Sequence, residues 1–150
     1  LPGSSQTDES VPVPRGHYAA ENMKLTVVPN RNMVLLSLAV AHAISLGADE
    51  VYYGAHAGDH DIYPDCRPEF VEAIQKAVAL CDWSPAQVLA PFMTLDKAAI
   101  LRLGHQLGVP YEKTWTCYEG KDRPCELCGA CRERAEAWAE VGRTDPLVAE

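Results

Sequence analysis

The stretch CYEGKDRPCELCGAC, residues 117–131, places four of the chain's six cysteines within fifteen positions. In the spacing C-x7-C-x2-C-x2-C, each C-x2-C turn directs two sulfurs toward one point, and the longer loop returns a further sulfur to it. Zinc prefers four thiolates in a tetrahedron with Zn–S distances of about 2.3 Å. The stretch therefore predicts a lobe with a closed, structural zinc site, formed by Cys117, Cys125, Cys128 and Cys131.

Two other arrangements also fit closely spaced cysteines. Disulfide frameworks are typical of small secreted proteins, and iron–sulfur clusters use short cysteine spacings as well. No export signal is visible, which favours reduced thiols and a cytoplasmic location. The chain begins with Leu1 rather than Met, so we expect a fragment or a processed chain. Four basic residues nearby would offset the charge of a Zn(Cys)4 centre: Lys121, Arg123, Arg132 and Arg134.

The charge balance argues against two classes of partner. The formal net charge is −8 and the pI is about 5.1, whereas proteins that bind the nucleic-acid backbone present a basic face. An anionic membrane surface is disfavoured for the same reason, and no apolar run is long enough for a transmembrane helix. We therefore expect neither nucleic acid nor a membrane as a partner.

Strand-like and helical patterns alternate along most of the chain. The predicted strands are 25–28, 50–54 and 86–92, and the predicted helices are 32–46, 68–80, 94–108 and 130–139. This alternation predicts an α/β fold in which helices cover a parallel sheet. The first helix is apolar nearly all round, so we expect it to be buried on more than one face. Thr94 is the predicted N-cap of the third helix.

Polar segments follow each predicted strand. In parallel sheets the ligand crevice lies beyond the carboxyl ends of the strands. The segments that this rule selects are residues 30–32, 56–67 and 94–97. We therefore expect the binding residues of the protein among them.

Four motifs occur in this order along the chain: VVPNRN (27–32), GAHAGDHDIYPDCRPEF (54–70), TLDKAAILRLGHQLGVPYEKTWTCYEG (94–120) and PCELCGACRERAEAW (124–138). Together they resemble one enzyme family, 7-cyano-7-deazaguanine synthase. The resemblance runs from about residue 8 to residue 139. It implies an adenine nucleotide alpha hydrolase-like fold of the pyrophosphatase-loop type, one structural zinc per subunit and a homodimer.

The resemblance also implies an activity, the ATP-dependent conversion of 7-carboxy-7-deazaguanine and ammonia to 7-cyano-7-deazaguanine. In this family ATP, with Mg²⁺, adenylylates the carboxylate, ammonia displaces AMP to give an amide, and a second activation dehydrates the amide. The resemblance does not identify the base for that dehydration. A related enzyme that acts on another carboxylate stays an open alternative.

One family motif is missing from the 150 residues. The family's ATP-binding loop is a Ser-Gly-Gly-x-Asp-Ser stretch, and Gly3-Ser4-Ser5 does not match it. We therefore expect that these 150 residues are the carboxyl-terminal two-thirds of the enzyme and that they are inactive by themselves. A non-catalytic or scaffold relative is the alternative. The predicted division is an α/β nucleotide- and base-binding domain at 1–116, a zinc-binding lobe with the closing helix at 117–140, and a loose tail at 141–150.

The segment that follows the first predicted strand is rich in side chains that can bind a ligand. The fork of Arg31 suits a carboxylate or a phosphate. The amides of Asn30 and Asn32 could contact the deazaguanine or the adenine that the resemblance implies. The alternative is that one of the asparagines only caps the following helix.

The loop at residues 56–67 is the densest polar segment. Asp59 and Asp65 are candidates to accept the N–H groups of a deazaguanine, and Arg67 is a candidate for its carboxylate. The alternatives are a solvated loop with a helix cap, and a metal site at His56, Asp59 and His60. Cys66 lies beside Arg67 and is either a thiol of low pKa or a packing residue.

Lys97 falls in the first turn of the third predicted helix. The helix dipole disfavours a cation there, so an anionic partner such as an ATP phosphate would explain it. The alternative is an ordinary solvated lysine.

Overall fold

The computed structural model describes residues 2–18 and 21–149. Contacts divide the chain into two compact units. One unit is Pro29–Thr94, and the other combines Leu1–Val28 with Leu95–Glu150. By contacts, the first 28 residues group with the cysteine-bearing part of the chain, whereas the predicted division placed them with the first helix.

The unit Pro29–Thr94 places two helices on one face of a two-stranded parallel sheet. Its elements are α1 (Arg31–Ser45), β1 (Glu50–Tyr52), α2 (Pro68–Val78) and β2 (Gln87–Leu89). Val51 lies opposite Val88 in the parallel register. Directly opposed residues point to the same face of a sheet, and both valines contact the helices. The helices therefore cover the valine face.

The core of this unit is built from one stripe of each helix. Its buried members are Leu36, Val40, Ile74, Val78 and Val88. On each helix the two members are one turn apart, so only one side of the helix is committed to the core. Burying an aliphatic side chain contributes about 1.5–3 kcal/mol, and this packing holds α1 and α2 to the sheet.

The prediction that α1 is buried on more than one face is wrong. Its buried stripe contains Leu36 and Val40, whereas Val34, Leu35 and Leu38 are 50, 55 and 65% exposed. Apolar composition predicts that a helix prefers to be covered, but burial requires a second element on each side. Here α1 has a covering surface on the side of the sheet and α2.

The predicted strand at residues 25–28 is also wrong. A 3₁₀ helix occupies Glu21–Thr26. The Thr26 hydroxyl donates to the carbonyl of Met23 at 2.7 Å, and the Val27 N–H donates to the carbonyl of Lys24 at 3.1 Å. These local bonds satisfy groups that a strand would direct to a neighbouring strand. In the described part of the chain the sheet accordingly has two strands, not three.

The coarse prediction of a parallel sheet with helices is confirmed, and the two helices of this unit lie within two residues of their predicted limits. Among residues 2–18 and 21–149, no helix combines the length and the apolar character needed to cross a bilayer.

The other unit is organised by α3 (Lys97–Gln106) and α4 (Gly129–Glu140), which pack together. Their shared core contains Leu101 and Trp138. The rings of His105, Tyr111 and Trp138 pack in tilted and edge-to-face contacts with centroids 5.1–5.3 Å apart. A side chain at Gly104 would place its Cβ 1.9 Å from the Tyr111 hydroxyl oxygen, so a glycine at this position is what lets the tyrosine approach α3.

Asp96, not Thr94, caps α3. The Asp96 carboxylate accepts the N–H of Ala99 at 2.7 Å. The helix begins two residues later than the predicted cap implies, because Asp96 is the residue whose side chain reaches the third helical N–H.

The C-terminal tail is held by a buried ion pair, so the prediction of a loose tail is wrong for its described residues. Arg134 of α4 donates from Nε and Nη2 to the two carboxylate oxygens of Asp145, at 2.5 and 2.7 Å. The same guanidinium donates to the Thr114 hydroxyl at 2.9 Å and to the carbonyls of Tyr111 and Thr114. One side chain therefore fixes the tail and the 111–114 turn to α4.

We expect Asp145→Ala to lower the free energy of unfolding by about 3–5 kcal/mol, because it leaves a buried guanidinium without its counter-charge. Urea denaturation followed by circular dichroism measures the change. The control is Glu140→Ala, which removes the partner of Arg102 in an ion pair that is more than half exposed, and should cost less than about 1 kcal/mol. Equal losses for the two variants would contradict the structural role of Asp145.

Candidate functional site

The four predicted cysteine ligands converge on one point. Their sulfurs all lie within 4.8 Å of one another, and the Sγ atoms of Cys125 and Cys131 are 4.0 Å apart. Tetrahedral coordination with metal–sulfur bonds of about 2.3 Å places sulfurs about 3.8 Å apart. All six cysteines are free thiols, so the disulfide alternative is not the arrangement found. The cluster can hold one metal ion.

Backbone N–H groups surround these sulfurs. Glu126 has a left-handed φ of 57°, and after this turn the N–H groups of Leu127 and Cys128 both reach the sulfur of Cys125, at 3.5 and 3.3 Å. The sulfur of Cys117 accepts the N–H groups of Glu119 and Cys125, at 3.4 and 3.3 Å. N–H donors of this kind stabilise thiolate ligands.

The N-terminal segment packs against the cluster. Arg15 forms an antiparallel bridge with Cys128, and the Gly16 N–H donates to the carbonyl of Leu127 at 3.2 Å. Cys128 is fully buried. A Cβ on Gly129 would lie 2.3 Å from the sulfur of Met23, so the 3₁₀ helix also closes over the start of α4.

The thiols differ in acidity. Burial by itself would raise the pKa of Cys125, but the N–H donors of Leu127 and Cys128 together with the neighbouring thiols of Cys117 and Cys128 outweigh burial and lower that pKa to about 7. Burial raises the pKa of Cys128 and of Cys131. A cation must therefore displace protons from the last two sulfurs, and metal binding should strengthen as pH rises.

Only part of the predicted basic shell is available to the cluster. Arg134 is committed to Asp145, and Lys121 lies 3.6 Å from the Glu119 carboxylate. The indole N–H of Trp115 donates to the carbonyl of Cys117 at 3.0 Å, which places the ring beside the first cysteine of the cluster.

A second candidate site lies in the unit Pro29–Thr94, where β1 ends and α1 begins. Asp65 accepts the backbone N–H of Asn32 at 3.4 Å, and the Asn32 amide, which is buried, donates to the sulfur of Cys66 at 3.7 Å. Asn30 occupies the N-cap position in a left-handed conformation with φ 59°, but its side chain makes no capping bond. Asp65, 33 residues away in sequence from Asn32, supplies the negative charge at this helix start.

Tyr53 completes the cluster, and the sequence reasoning missed it. Its hydroxyl donates to the carbonyl of Asp65 at 2.7 Å and lies 3.2 Å from the sulfur of Cys66. The signal that could have found it is position, because Tyr53 directly follows β1 at the carboxyl edge of the sheet. Asn32, Tyr53, Asp65 and Cys66 thus form one connected network.

Cys66 is not a thiol of low pKa. Burial raises its pKa to about 11, although the Tyr53 hydroxyl and the positive charge of Arg31 act in the opposite direction. Burial also raises the pKa of Tyr53. Both groups are therefore neutral near pH 7, and Cys66 belongs to the packed network rather than to a set of nucleophiles.

The alternative metal site at His56, Asp59 and His60 is wrong. In residues 2–18 and 21–149, the four clustered cysteines are the group that has metal-binding geometry. The Nδ1 atom of His56 accepts the N–H of Gly58 at 3.1 Å, and its Nε2 lies 3.5 Å from the Asp59 carboxylate. His60 contacts the sulfur of Met93 at 3.1 Å.

Arg31 and Arg67 are the exposed cations at this site. Arg67 donates from Nε to the carbonyl of His60 at 2.8 Å, which fixes the start of its guanidinium, and the residue as a whole is exposed. In the ranges that the structure describes, neither arginine pairs with a carboxylate. Both therefore keep donors for an anionic ligand.

Lys97 belongs to the other unit and has a protein partner. Its ammonium forms an ion pair with Glu133 of α4 and lies 5.5 Å from the ring centroid of Tyr18. Both side chains of the pair are largely buried. This ion pair accounts for a cation in the first turn of α3, so no bound ligand is needed to explain it. The proposed contact with phosphate stays a prediction.

Comparison with known proteins assigns these features to a family. A family model described as "Queuosine biosynthesis protein QueC" matches residues 1–142. The chain is 54% identical to 7-cyano-7-deazaguanine synthase 1 of Colwellia psychrerythraea over 147 residues, which are 98% of this chain and 67% of that protein. It is 56% identical to the 7-cyano-7-deazaguanine synthase of Hahella chejuensis over 150 residues, 100% of this chain and 64% of that protein. The chain thus spans about two thirds of the length of these relatives.

We expect alkylation of Cys66 by iodoacetamide to be slow at pH 8 and to accelerate about tenfold per pH unit up to pH 10. The thiolate is the reactive form, and a pKa of about 11 instead of 9.0 lowers its fraction about hundredfold. Mass spectrometry of a Cys81→Ser variant, which removes the exposed thiol, measures the rate at Cys66. A rate that reaches a plateau near pH 9 would contradict the raised pKa.

Proposed function

The chain belongs to the family of the queuosine biosynthesis protein QueC, and from this membership we propose that it serves as a 7-cyano-7-deazaguanine synthase. The observation that carries the proposal is identity of 52–56% to proteins of that name across 98–100% of the chain. The substrates are 7-carboxy-7-deazaguanine, ammonia and ATP with Mg²⁺. The enzyme is a carbon–nitrogen ligase that completes a nitrile.

The proposed chemistry proceeds in two activations. In the first, the substrate carboxylate attacks ATP, pyrophosphate leaves, and ammonia then displaces AMP to give an amide and release a proton. In the second, the amide oxygen attacks another ATP and pyrophosphate leaves again. Loss of AMP and of the two protons on the nitrogen then gives the nitrile. Each activation places negative charge where cationic side chains can stabilise it.

Arg31 and Arg67 are the residues of this chain best suited to hold the anionic groups. Both guanidiniums are exposed at the carboxyl edge of the sheet, and neither is paired with a carboxylate in the described residues. The buried network of Asn32, Tyr53, Asp65 and Cys66 orders the start of α1 beneath Arg31. Asp65 acts there as a helix-capping group, so Asp59 is the better candidate to accept N–H groups of the base.

Zinc is the metal that we propose for the cysteine cluster. Cys117, Cys125, Cys128 and Cys131 are the soft, closed donor set that structural zinc sites use, and the N–H groups around their sulfurs suit an anionic centre. With four protein ligands no position is left for water, so the metal stabilises the fold and takes no part in the reaction. A homodimer and a cytoplasmic location complete the proposal, as the family resemblance implies.

A non-catalytic scaffold relative is the second candidate. A scaffold would keep the metal cluster and the polar network without ATP chemistry. The two candidates differ in one respect that can be measured, which is turnover when the missing stretch is supplied.

Metal analysis of protein purified without chelators should give about one zinc per chain. We expect Cys128→Ser to lose zinc and to unfold the unit that contains α4, since structural zinc contributes about 10 kcal/mol or more to folding. Cys81→Ser, at an exposed cysteine outside the cluster, is the matched control and should keep both the zinc and the folded state. Acidification should release zinc, because protons compete for the sulfurs. Iron in place of zinc would support the iron–sulfur alternative.

Activity is tested with a chimera in which these 150 residues replace the matching part of the Colwellia psychrerythraea relative. We expect the chimera to form AMP and the nitrile from 7-carboxy-7-deazaguanine, ammonia and ATP, and the 150-residue chain alone to form neither. In the chimera, Arg67→Ala should raise KM for the carboxylate more than KM for ATP, and Arg67→Lys should not restore it if the contact is bidentate. A folded, zinc-loaded chimera without turnover would favour the scaffold.

The same chimera separates the two roles of Lys97. If the ammonium meets a phosphate, Lys97→Ala should slow turnover about 100- to 1000-fold, whereas Glu133→Gln, which keeps the ammonium, should retain most activity. If both variants lose stability and activity in parallel, Lys97 serves only the ion pair with Glu133.

A further inference from the structure

A histidine and a carboxylate form a nearly buried pair in the loop that follows β1. The Nε2 atom of His56 lies 3.5 Å from the Asp59 carboxylate, and the two side chains are only 10 and 15% exposed. A carboxylate that is mostly withdrawn from water needs donors that replace its lost hydration. His56 is therefore placed to determine how the Asp59 carboxylate is held.

The backbone of this turn determines which nitrogen of His56 carries the hydrogen. The Gly58 N–H donates to Nδ1 at 3.1 Å, so Nδ1 presents a lone pair. In a neutral imidazole the other nitrogen then carries the hydrogen, and Nε2 is a donor beside Asp59. The separation of 3.5 Å is long for a hydrogen bond, but bonds of this kind in binding sites often tighten only when the ligand is present.

The bond from Gly58 also excludes His56 as a general base. A neutral imidazole has a single lone pair, and in His56 this lone pair accepts the Gly58 N–H. No acceptor is left on the ring for a substrate proton. Any effect of His56 on a ligand must therefore pass through Asp59.

Asp59 lies close to the cations that are candidates to hold an anionic substrate. The residue after it, His60, accepts the Nε–H of Arg67 through its backbone carbonyl at 2.8 Å. The negative charge of Asp59 and the positive charge of Arg31 both act on the Cys66 thiol, with opposite effects on its pKa. The site therefore offers an anion and two exposed cations to one ligand.

A guanine-type base carries the donors that such a carboxylate accepts. Its ring N–H and its 2-amino group are neighbours on one edge, and an ionised carboxylate has two oxygens with about four lone-pair sites. The contact with His56 uses part of this capacity, and the rest can accept both N–H groups of the base. A base without the 2-amino group would provide one donor fewer.

We propose that His56 is a positioning residue, which holds Asp59 through its Nε2–H so that the carboxylate accepts the N–H groups of a guanine-type base. This role rests on the proposed function, because it orders the carboxylate that would bind the base of that substrate. It has a consequence that a structural pair lacks, since changing His56 should alter the choice between bases with and without the 2-amino group. Loss of a structural pair would weaken both alike.

Two substitutions separate the two contacts of His56. His56→Asn puts an amide oxygen near the position of Nδ1, where it can accept the Gly58 N–H as capping asparagines do, but the side chain is too short to reach Asp59. His56→Gln puts an amide nitrogen near the position of Nε2 and restores a donor to Asp59. His42→Asn, at an exposed histidine of α1, is the matched control.

Binding is measured by isothermal titration calorimetry on the 150-residue chain. The ligands are 7-carboxy-7-deazaguanine and its analogue without the 2-amino group. We expect His56→Asn to weaken binding of the first ligand about tenfold, as for the loss of a hydrogen bond to a charged group, and to reduce the preference over the analogue. His56→Gln should bind within about threefold of the unchanged chain because it keeps that bond, and His42→Asn should have no effect. Thermal unfolding confirms that each variant is folded.

The tautomer of His56 is measured separately by NMR of the imidazole nitrogens in the chain without ligand. The signals of His56 are those that disappear in His56→Asn. We expect a hydrogen on Nε2 and none on Nδ1. This measurement needs no ligand, so its outcome does not depend on the proposed function.

A hydrogen on Nδ1 would overturn the contact with Asp59. Equal weakening of both ligands by His56→Asn, or failure of His56→Gln to restore binding, would reduce the pair to a structural role. If the unchanged chain binds neither ligand, the base site of the proposed function fails and the positioning role fails with it. If the unchanged chain binds and His56→Asn binds equally well, only the positioning role is lost. Should His56→Asn prove unfolded, His56→Gln and the tautomer decide the outcome.

Discussion

The convergence of four sulfurs at the start of α4 is the constraint on which the unit of residues 1–28 and 95–150 depends. Successive turns of α4 then fix different parts of the chain. Cys131 belongs to the cysteine cluster, and Glu133 pairs with Lys97 of α3. Arg134 binds Asp145 in the tail, and Trp138 packs against the rings of His105 and Tyr111. Because a helix holds its side chains at set angles, fixing Cys128 and Cys131 also positions the groups that follow. A metal at this point would therefore stabilise contacts far from its ligands.

The polar network beside β1 joins elements that are distant in sequence without using a charge in its interior. Tyr53 and Cys66 have raised pKa values and remain neutral near pH 7. A buried neutral network costs little when each member has a partner. Asp65 contributes the single formal charge, and it lies at the helix start where the dipole favours an anion. The arrangement leaves Arg31 exposed at an ordered helix start.

Local patterns in the sequence predicted the helices and the cysteine cluster, because both form from residues that are close together in the chain. The spacing of the cysteines determined the metal-binding cluster, since a C-x2-C turn brings its own sulfurs and N–H groups together. The helices that begin at Arg31 and Pro68 lie close to their predicted limits for the same reason. The strand expected at residues 25–28 failed because four residues of suitable composition can satisfy their hydrogen bonds locally as well as in a sheet.

Tertiary structure decided which side chains meet, and the sequence by itself could not predict these contacts. Lys97 faces Glu133 across 36 positions, Asp65 caps a helix 33 residues before it, and Arg134 reaches Asp145 in a tail expected to be loose. Charge and hydrogen-bonding capacity are visible in a sequence, but the partner is set by packing between elements. The sequence by itself determined the family, the cysteine cluster that can hold a metal ion and most helices, because these depend on residue types at short spacing. The network at β1 and the covered side of α1 depend on distances in space, and only the folded chain defines those.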